Sequence, residues 1–143
     1  MDTLNVMLDE GAKLPERAHT ADAGFDLFIP TNWKKTITIF GRESLIVDTG
    51  VHVEIPEGYV GILKSKSGLN VKNNLTGTGV IDSGYTGSIV AKLYNHGKEK
   101  YIFQPGDKII QLLIIKCETP ELIITDHFEK TERNDKGFGS SGK

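Results

Sequence analysis

The chain has 143 residues, with 17 lysines and arginines against 19 aspartates and glutamates and a formal charge of −2. That length suits one domain with a core of its own, and the near balance of charge excludes the global basic field of a nucleic-acid binder. A single cysteine, Cys117, excludes an intramolecular disulfide. No apolar run is long enough to cross a bilayer as a helix, for which about 20 residues are needed.

Short runs with a period of two dominate the chain. Predicted strands cover Leu4 to Leu8, Phe25 to Ile29 (stopped by Pro30), Thr36 to Phe40, Ser44 to Val47 and Val51 to Ile55. They continue at Tyr59 to Leu63, Ser88 to Tyr94, Tyr101 to Phe103, Ile109 to Ile115 and Leu122 to Ile124. Ser67 to Asn74 is the one place for a short helix. The expectation is an all-β sandwich, barrel or jelly roll, divided as a β domain over 1–128 and a flexible polar tail over 129–143. Met1-Asp2-Thr3-Leu4 lacks the basic and apolar regions of a secretory leader. A cytoplasmic location is therefore expected, the host's cytoplasm for a viral chain.

Charge is distributed unevenly. Between Gly58 and Lys98 stand five lysines and one acidic residue, Asp82. Asp82 lies in Gly77-Thr78-Gly79-Val80-Ile81-Asp82-Ser83-Gly84-Tyr85-Thr86-Gly87, which reads as a tight β-hairpin turning at Ser83-Gly84. One carboxylate in a basic window points to a small anionic ligand; solvated surface lysines are the bland alternative. Lys64-Ser65-Lys66-Ser67-Gly68 combines cations, hydroxyls and unobstructed backbone, a combination that suits phosphate.

The tail ends in Gly137-Phe138-Gly139-Ser140-Ser141-Gly142-Lys143, most of a P-loop string, but with no hydroxyl residue after the lysine and no helix to follow it. By composition alone it reads as a disordered end. Its glycines, hydroxyls and Arg133 nevertheless suit phosphate oxygens, and Phe138 suits stacking on a base. His19, His52, His96 and His127 are scattered without metal-ligand spacing. Asp107, in Pro105-Gly106-Asp107-Lys108, reads as a turn residue.

Together five stretches, in order and across almost the whole chain, resemble the homotrimeric dUTPase family. They are Ala23-Gly24-Phe25-Asp26-Leu27, Lys66-Ser67-Gly68, Gly79 to Gly87, Pro105-Gly106-Asp107-Lys108-Ile109-Ile110-Gln111-Leu112, and Arg133 with Gly137 to Gly142. The resemblance implies a distorted β-barrel or jelly roll with a swapped tail. It also implies a homotrimer whose three sites each draw on three chains, and hydrolysis of dUTP to dUMP and pyrophosphate with Mg²⁺. It makes Asp82 the general base. Lys66, Ser67, Gln111, Arg133, Ser140 and Ser141 would hold phosphates, with Gly68, Gly139 and Val90 also at substrate-binding positions. Tyr85 would pack beneath the deoxyribose and Phe138 would stack on uracil. Main chain around Thr76, Gly79, Val80 and Ile81 would read the edge of the base. Mg²⁺ would rest on the triphosphate and waters, with Asp26 in reach through a water. Lys66 stands where the family usually has arginine, so charge is kept without the planar fork.

Three rivals differ in their requirements. The related dCTP deaminases need a glutamate where this chain has Lys92. A nucleotide-responsive protein that regulates a partner would use the same motifs. A lectin- or capsid-like jelly roll leaves Asp82 and the tail without a role. No stable binding to nucleic acid or membrane is expected.

Overall fold

A computed structural model describes residues 1–142; Lys143, the last residue of the P-loop-like string, lies outside them. The described residues form ten strands and one short helix: β1 (Asn5–Leu8), β2 (Gly24–Phe28), β3 (Ile37–Ile39), β4 (Ser44–Asp48), β5 (Val51–Glu54), β6 (Tyr59–Lys64), α1 (Ser67–Asn73), β7 (Leu75–Ile81), β8 (Val90–Asn95), β9 (Tyr101–Phe103) and β10 (Lys108–Lys116). Six strands make one antiparallel sheet in the order β2-β10-β6-β7-β8-β4, and β1-β5 and β3-β9 are two-stranded companions. The all-β expectation with a single short helix holds.

Alternation explains how the sheet curls around one core. In β8, Ala91, Leu93 and Asn95 are buried while Val90, Lys92 and Tyr94 face out. Leu27, Val47, Leu63, Phe103, Ile110 and Leu112 meet these side chains inside. Each such aliphatic or aromatic burial stabilises by about 1.5–3 kcal/mol. Buried Asn95 is satisfied by donating to the Ile39 and Glu99 carbonyls at 3.3 and 2.8 Å and accepting from Gly97 N–H at 2.9 Å. In β10 the register shifts between Lys108 and Ile110. That bulge lets both Ile109 and Ile110 face the core and re-aims Lys108. Asp107 closes the turn before it, accepting from Gln104 N–H at 2.7 Å, as a turn residue should.

Three local expectations are corrected. The stretch around Asp82 is not a tight two-residue hairpin. β7 ends at Ile81 and β8 begins at Val90, and the chain between them turns at 82–85, where Tyr85 N–H donates to the Asp82 carbonyl at 3.2 Å. Gly84 does take the positive φ, +81°. A strand also occupies Leu75–Ile81, where Gly77 and Gly79 obscure the alternation. Leu122 to Ile124 form no strand, and all three are exposed by 85% or more. Every described residue from 118 onward is exposed, and the expected boundary at 128/129 falls inside that arm. Among the described residues no helix is long and apolar enough to cross a membrane.

Candidate functional site

β10 lies between β2 and β6, and one row across the three strands is Asp26–Gln111–Lys64. At that end Lys66, the residue before α1, donates from Nζ to Asp26 Oδ1, and Lys108 Nζ lies 2.9 Å from Asp26 Oδ2. Asp26 is buried, 5% exposed. Burial alone would raise its carboxyl pKa; the bonds from Lys66 and Lys108 outweigh that and hold it below the ordinary range. Gln111 Nε2 donates to the Ser65 carbonyl at 3.1 Å. The amide oxygen of Gln111 fills the space where a Cβ on Gly24 would stand, so the small residue and the amide are fitted to each other. The structure thus brings together Asp26, Lys66 and Gln111, with Ser67 and Gly68 entering α1 beside them. Nothing lies within 4 Å of a Cβ at Gly68, so that backbone is open to an approaching group.

β7 changes partners along its length. Leu75, Thr76 and Gly77 pair with β8, whereas Thr78, Gly79, Val80 and Ile81 pair with β6. Ser65 Oγ fills the vacated β6 side at Gly77, accepting from its N–H at 2.9 Å and donating to its carbonyl at 3.2 Å. The β8-facing main-chain edge from Thr78 to Val80 is left without a strand partner among the described residues. Thr76 sits at the other end of β7, its hydroxyl 2.6 Å from His96 Nε2. Val80 and Val90 stand exposed on the outer face.

Beyond that open edge comes Asp82, exposed, with no hydrogen bond to its carboxylate from a described residue. Tyr85 folds back over Gly87, where any side chain would collide with its ring, and its hydroxyl donates to the Ser88 carbonyl at 3.0 Å. Ser88 Oγ in turn donates to Asp48, which with the Gly50 N–H bond at 3.0 Å holds the Asp48 carboxyl below its usual range.

Within one chain the two clusters do not meet. Lys64 is opposite Thr78, and Asp82, just past the end of β7, is four residues further along the chain, about 13 Å at the rise of a strand. Lys66 lies beyond Lys64 in the other direction. One cavity, about 650 Å³, runs under the turn past Ser83, Gly84 and Thr86, but Glu54 and Glu57 also line it, a poor wall for a polyphosphate. A second, about 370 Å³, is lined by Lys64, Ser65, Thr76 and Thr78. Neither joins Asp82 to Lys66 or Gln111.

Arg133, Phe138, Gly139, Ser140 and Ser141 lie on the exposed arm, which is folded only into local turns: Arg133 Nε donates to the Lys136 carbonyl at 2.9 Å, and Ser140 N–H to the Gly137 carbonyl at 2.9 Å. Among the described residues no group of three or more His, Cys, Asp or Glu is placed to cage a metal. Both Asp26 oxygens are taken by lysines, and Glu16 Oε1 lies 3.6 Å from Lys108 Nζ, so Asp26 has no oxygen free to ligate an ion directly and could meet one only through water. Sequence reasoning missed Lys108 as a site neighbour, because the bulge that re-aims it leaves no mark in composition.

The family model described as dUTPase matches residues 10–142. A deoxyuridine 5'-triphosphate nucleotidohydrolase of Yarrowia lipolytica is 41% identical over 138 residues, covering 94% of this chain and 85% of that protein. The Mus musculus protein of the same name is 39% identical, covering 96% and 83%. The dUTPase of Staphylococcus bacteriophage 80alpha, solved with dUpNHpp, matches at a TM-score of 0.90 and 35% identity over 100% of both chains. A dUTPase mutant from Staphylococcus aureus phage phi11, described with a structural Mg(II) ion, matches at a TM-score of 0.80 and 34% identity, covering 90% of this chain and 100% of that one.

Proposed function

Since the chain belongs to the dUTPase family, we propose that it hydrolyses dUTP to dUMP and pyrophosphate, at sites shared between the subunits of a homotrimer. The observation that carries the reading is β7: an unpartnered main-chain edge from Thr78 to Val80 runs directly into an exposed carboxylate, Asp82. Such an edge offers fixed N–H and C=O groups to the edge of uracil, with Thr76, Gly79, Val80, Ile81 and Val90 as its neighbours. Tyr85, braced on Ser88, would lie under the deoxyribose, where a 2′-hydroxyl has no room.

In the reaction Asp82 takes a proton from a water whose oxygen attacks the α-phosphorus. The bond from that phosphorus to the bridging oxygen breaks, and pyrophosphate leaves. Lys66, Ser67, Gly68 and Gln111 hold the phosphates of a substrate whose base sits on another subunit's β7, and the tail of a third subunit closes the site. In that tail Arg133, Gly139, Ser140 and Ser141 meet phosphate oxygens and Phe138 covers the base. Positioning and fixed charge supply most of the acceleration in such transfers. Magnesium on the triphosphate, reached by Asp26 through a water, would neutralise charge that Lys66 alone leaves uncompensated.

Two features support the shared site. Asp82 and Lys66 stand at opposite ends of the β6–β7 ladder, and Leu122, Ile123, Ile124 and Phe128 lie exposed on an arm, with no described residue of their own chain covering them. Pyrophosphate release from dUTP, compared with dTTP, dCTP and UTP with magnesium or chelator, tests the assignment. Equal release from dCTP or UTP overturns it. A regulatory role beside catalysis is suggested by the phage 80alpha relative, described as controlling transfer of virulence genes by a G protein-like mechanism. Pull-downs with and without a non-hydrolysable dUTP analogue test that reading.

A further inference from the structure

The mechanism above uses none of the four histidines, yet one of them is tied to the turn that carries Tyr85. His52 lies on β5 between buried Val51 and Val53, so its ring stands on the outer face, opposite Met7 of β1. Its Nδ1 is 2.8 Å from the Thr86 carbonyl oxygen and its Nε2 is 3.1 Å from Asp9 Oδ2. Both partners are acceptors with no hydrogen to give. A neutral imidazole donates from one nitrogen only, so only the doubly protonated ring satisfies both contacts. Asp9 is itself fixed at the end of β1, its N–H donating to the Gly50 carbonyl at 2.8 Å.

We propose that His52, bridging Asp9 and the Thr86 carbonyl as an imidazolium, is a positioning residue for dUTP hydrolysis, clamping the turn that carries Asp82 and Tyr85. The inference rests on the dUTPase reading for its consequence, and on the ring's two contacts for its substance. Thr86 directly follows Tyr85, and the turn has a second anchor at Ser88 through Asp48. With His52 released, the Thr86 carbonyl loses this partner, and the connection is held only from Ser88 onward, by Asp48 and by the bonds of Ile89 to Val51 and Thr49.

The surroundings favour the charged ring. Asp9 faces it from the end of β1 and Asp48 from the end of β4. Glu54, on the same face of β5, is engaged by Asn5 Nδ2 at 2.8 Å, and Thr86 presents a carbonyl rather than a charge. The bond to Thr86 first, and that to Asp9 second, raise the ring's pKa above its usual value. The clamp is therefore complete below the ordinary histidine value of about 6.5 and is lost as pH rises through the raised value.

The test uses the full-length protein labelled with ¹⁵N-histidine. Ring nitrogens are followed by NMR from acid to alkaline pH in wild type and Asp9→Asn. The kcat and KM for dUTP are measured over the same range in wild type, Asp9→Asn and His52→Gln. The expected result is a His52 titration above ~6.5, moved downward by Asp9→Asn, with wild-type kcat falling through the same pH. His52→Gln offers Thr86 one amide donor at every pH. It should remove that step and lower kcat about two- to tenfold on its acid side, the worth of one hydrogen bond, with KM nearly unchanged. A ring already neutral at pH 6.5, or a His52→Gln profile that superimposes on wild type, overturns the proposal. Should His52→Gln fail to fold, the ring titration and the Asp9→Asn profile decide. Should wild type release no pyrophosphate from dUTP, the functional reading falls, while the ring titration still upholds or overturns the clamp.

Discussion

Asp26→Asn isolates the electrostatic centre of the phosphate-suited end. The aspartate is 5% exposed and takes a bond from Lys66 on one oxygen and from Lys108, at 2.9 Å, on the other. A charge-assisted bond contributes about 1.5–3 kcal/mol net, so two set an upper bound of ~6 kcal/mol. Three effects reduce it. The amide still accepts one bond, the cost of burying a carboxylate is relieved, and the lysine side chains are 27% and 38% exposed, so water screens them. The expected loss is about 2 kcal/mol at pH 7, or a midpoint lowered by roughly 5–8 °C at fixed protein concentration. pH supplies the discriminating readout. The folded pKa of Asp26 is lowered, so its contribution is full above the unfolded value of about 3.9 and disappears as pH falls through the folded one. Thermal or urea unfolding of both proteins from pH 7 downward should show the gap closing in acid. A variant as stable as wild type at pH 7, or a gap that ignores pH, would refute the claim that the two ammonium groups outweigh burial.

Asp82→Asn should reduce pyrophosphate release by at least about 100-fold, the lower range of general-base catalysis, while a dUTP analogue still binds by calorimetry; full activity in that variant removes the base assignment. Deleting the chain from Arg133 onward should cut turnover severely and leave the circular dichroism spectrum and trimer mass unchanged, because the described residues there are exposed and bonded only among themselves and to Thr131 of the same arm. Unchanged turnover would make the tail an idle end. Gly24→Ala places a methyl where the Gln111 amide oxygen lies, so Gln111 must leave the Ser65 carbonyl. The expected outcome is an increase in KM for dUTP larger than the fall in stability, read by steady-state kinetics beside urea unfolding.

The strands were legible in the sequence wherever one face meets the core and the other meets water. Tyr101–Phe103 appears with the expected bounds, and β8 alternates along its length. Legibility failed where pairing rather than burial decides. β7 is a strand because β6 and β8 take its backbone in turn, and Gly77 and Gly79 contribute no side-chain rhythm. Leu122 to Ile124 carry strand-like composition, but no strand among the described residues pairs with them. In the site, Asp82, Lys66 and Gln111 are legible as residue types in ordered motifs. Lys108 and His52 are not, because each acts at a distance fixed by a bulge or by packing between strands far apart in sequence.

The course of β7 follows from one close approach. At Gly77 a Cβ would lie 2.8 Å from the Lys92 carbonyl oxygen and 3.0 Å from Ile110 and Leu93 side-chain carbons, so only glycine lets β7 come this near β8 over the core. The β8 pairing of β7 stops at Gly77, where the two strands separate. The separation opens the edge at Thr78 to Val80 and sends the chain through the 82–89 connection before β8 resumes the ladder. The same contact leaves Gly77's β6-facing groups to the Ser65 hydroxyl, which fixes the backbone just before Lys66. One glycine thus opens a β7 edge that begins opposite Lys64 and runs toward Asp82, about 13 Å away at the rise of a strand, with Lys66 beyond the other end of the ladder. For the function proposed above, contributions from neighbouring copies would let the carboxylate and the lysine, at opposite ends of the ladder, each meet a substrate.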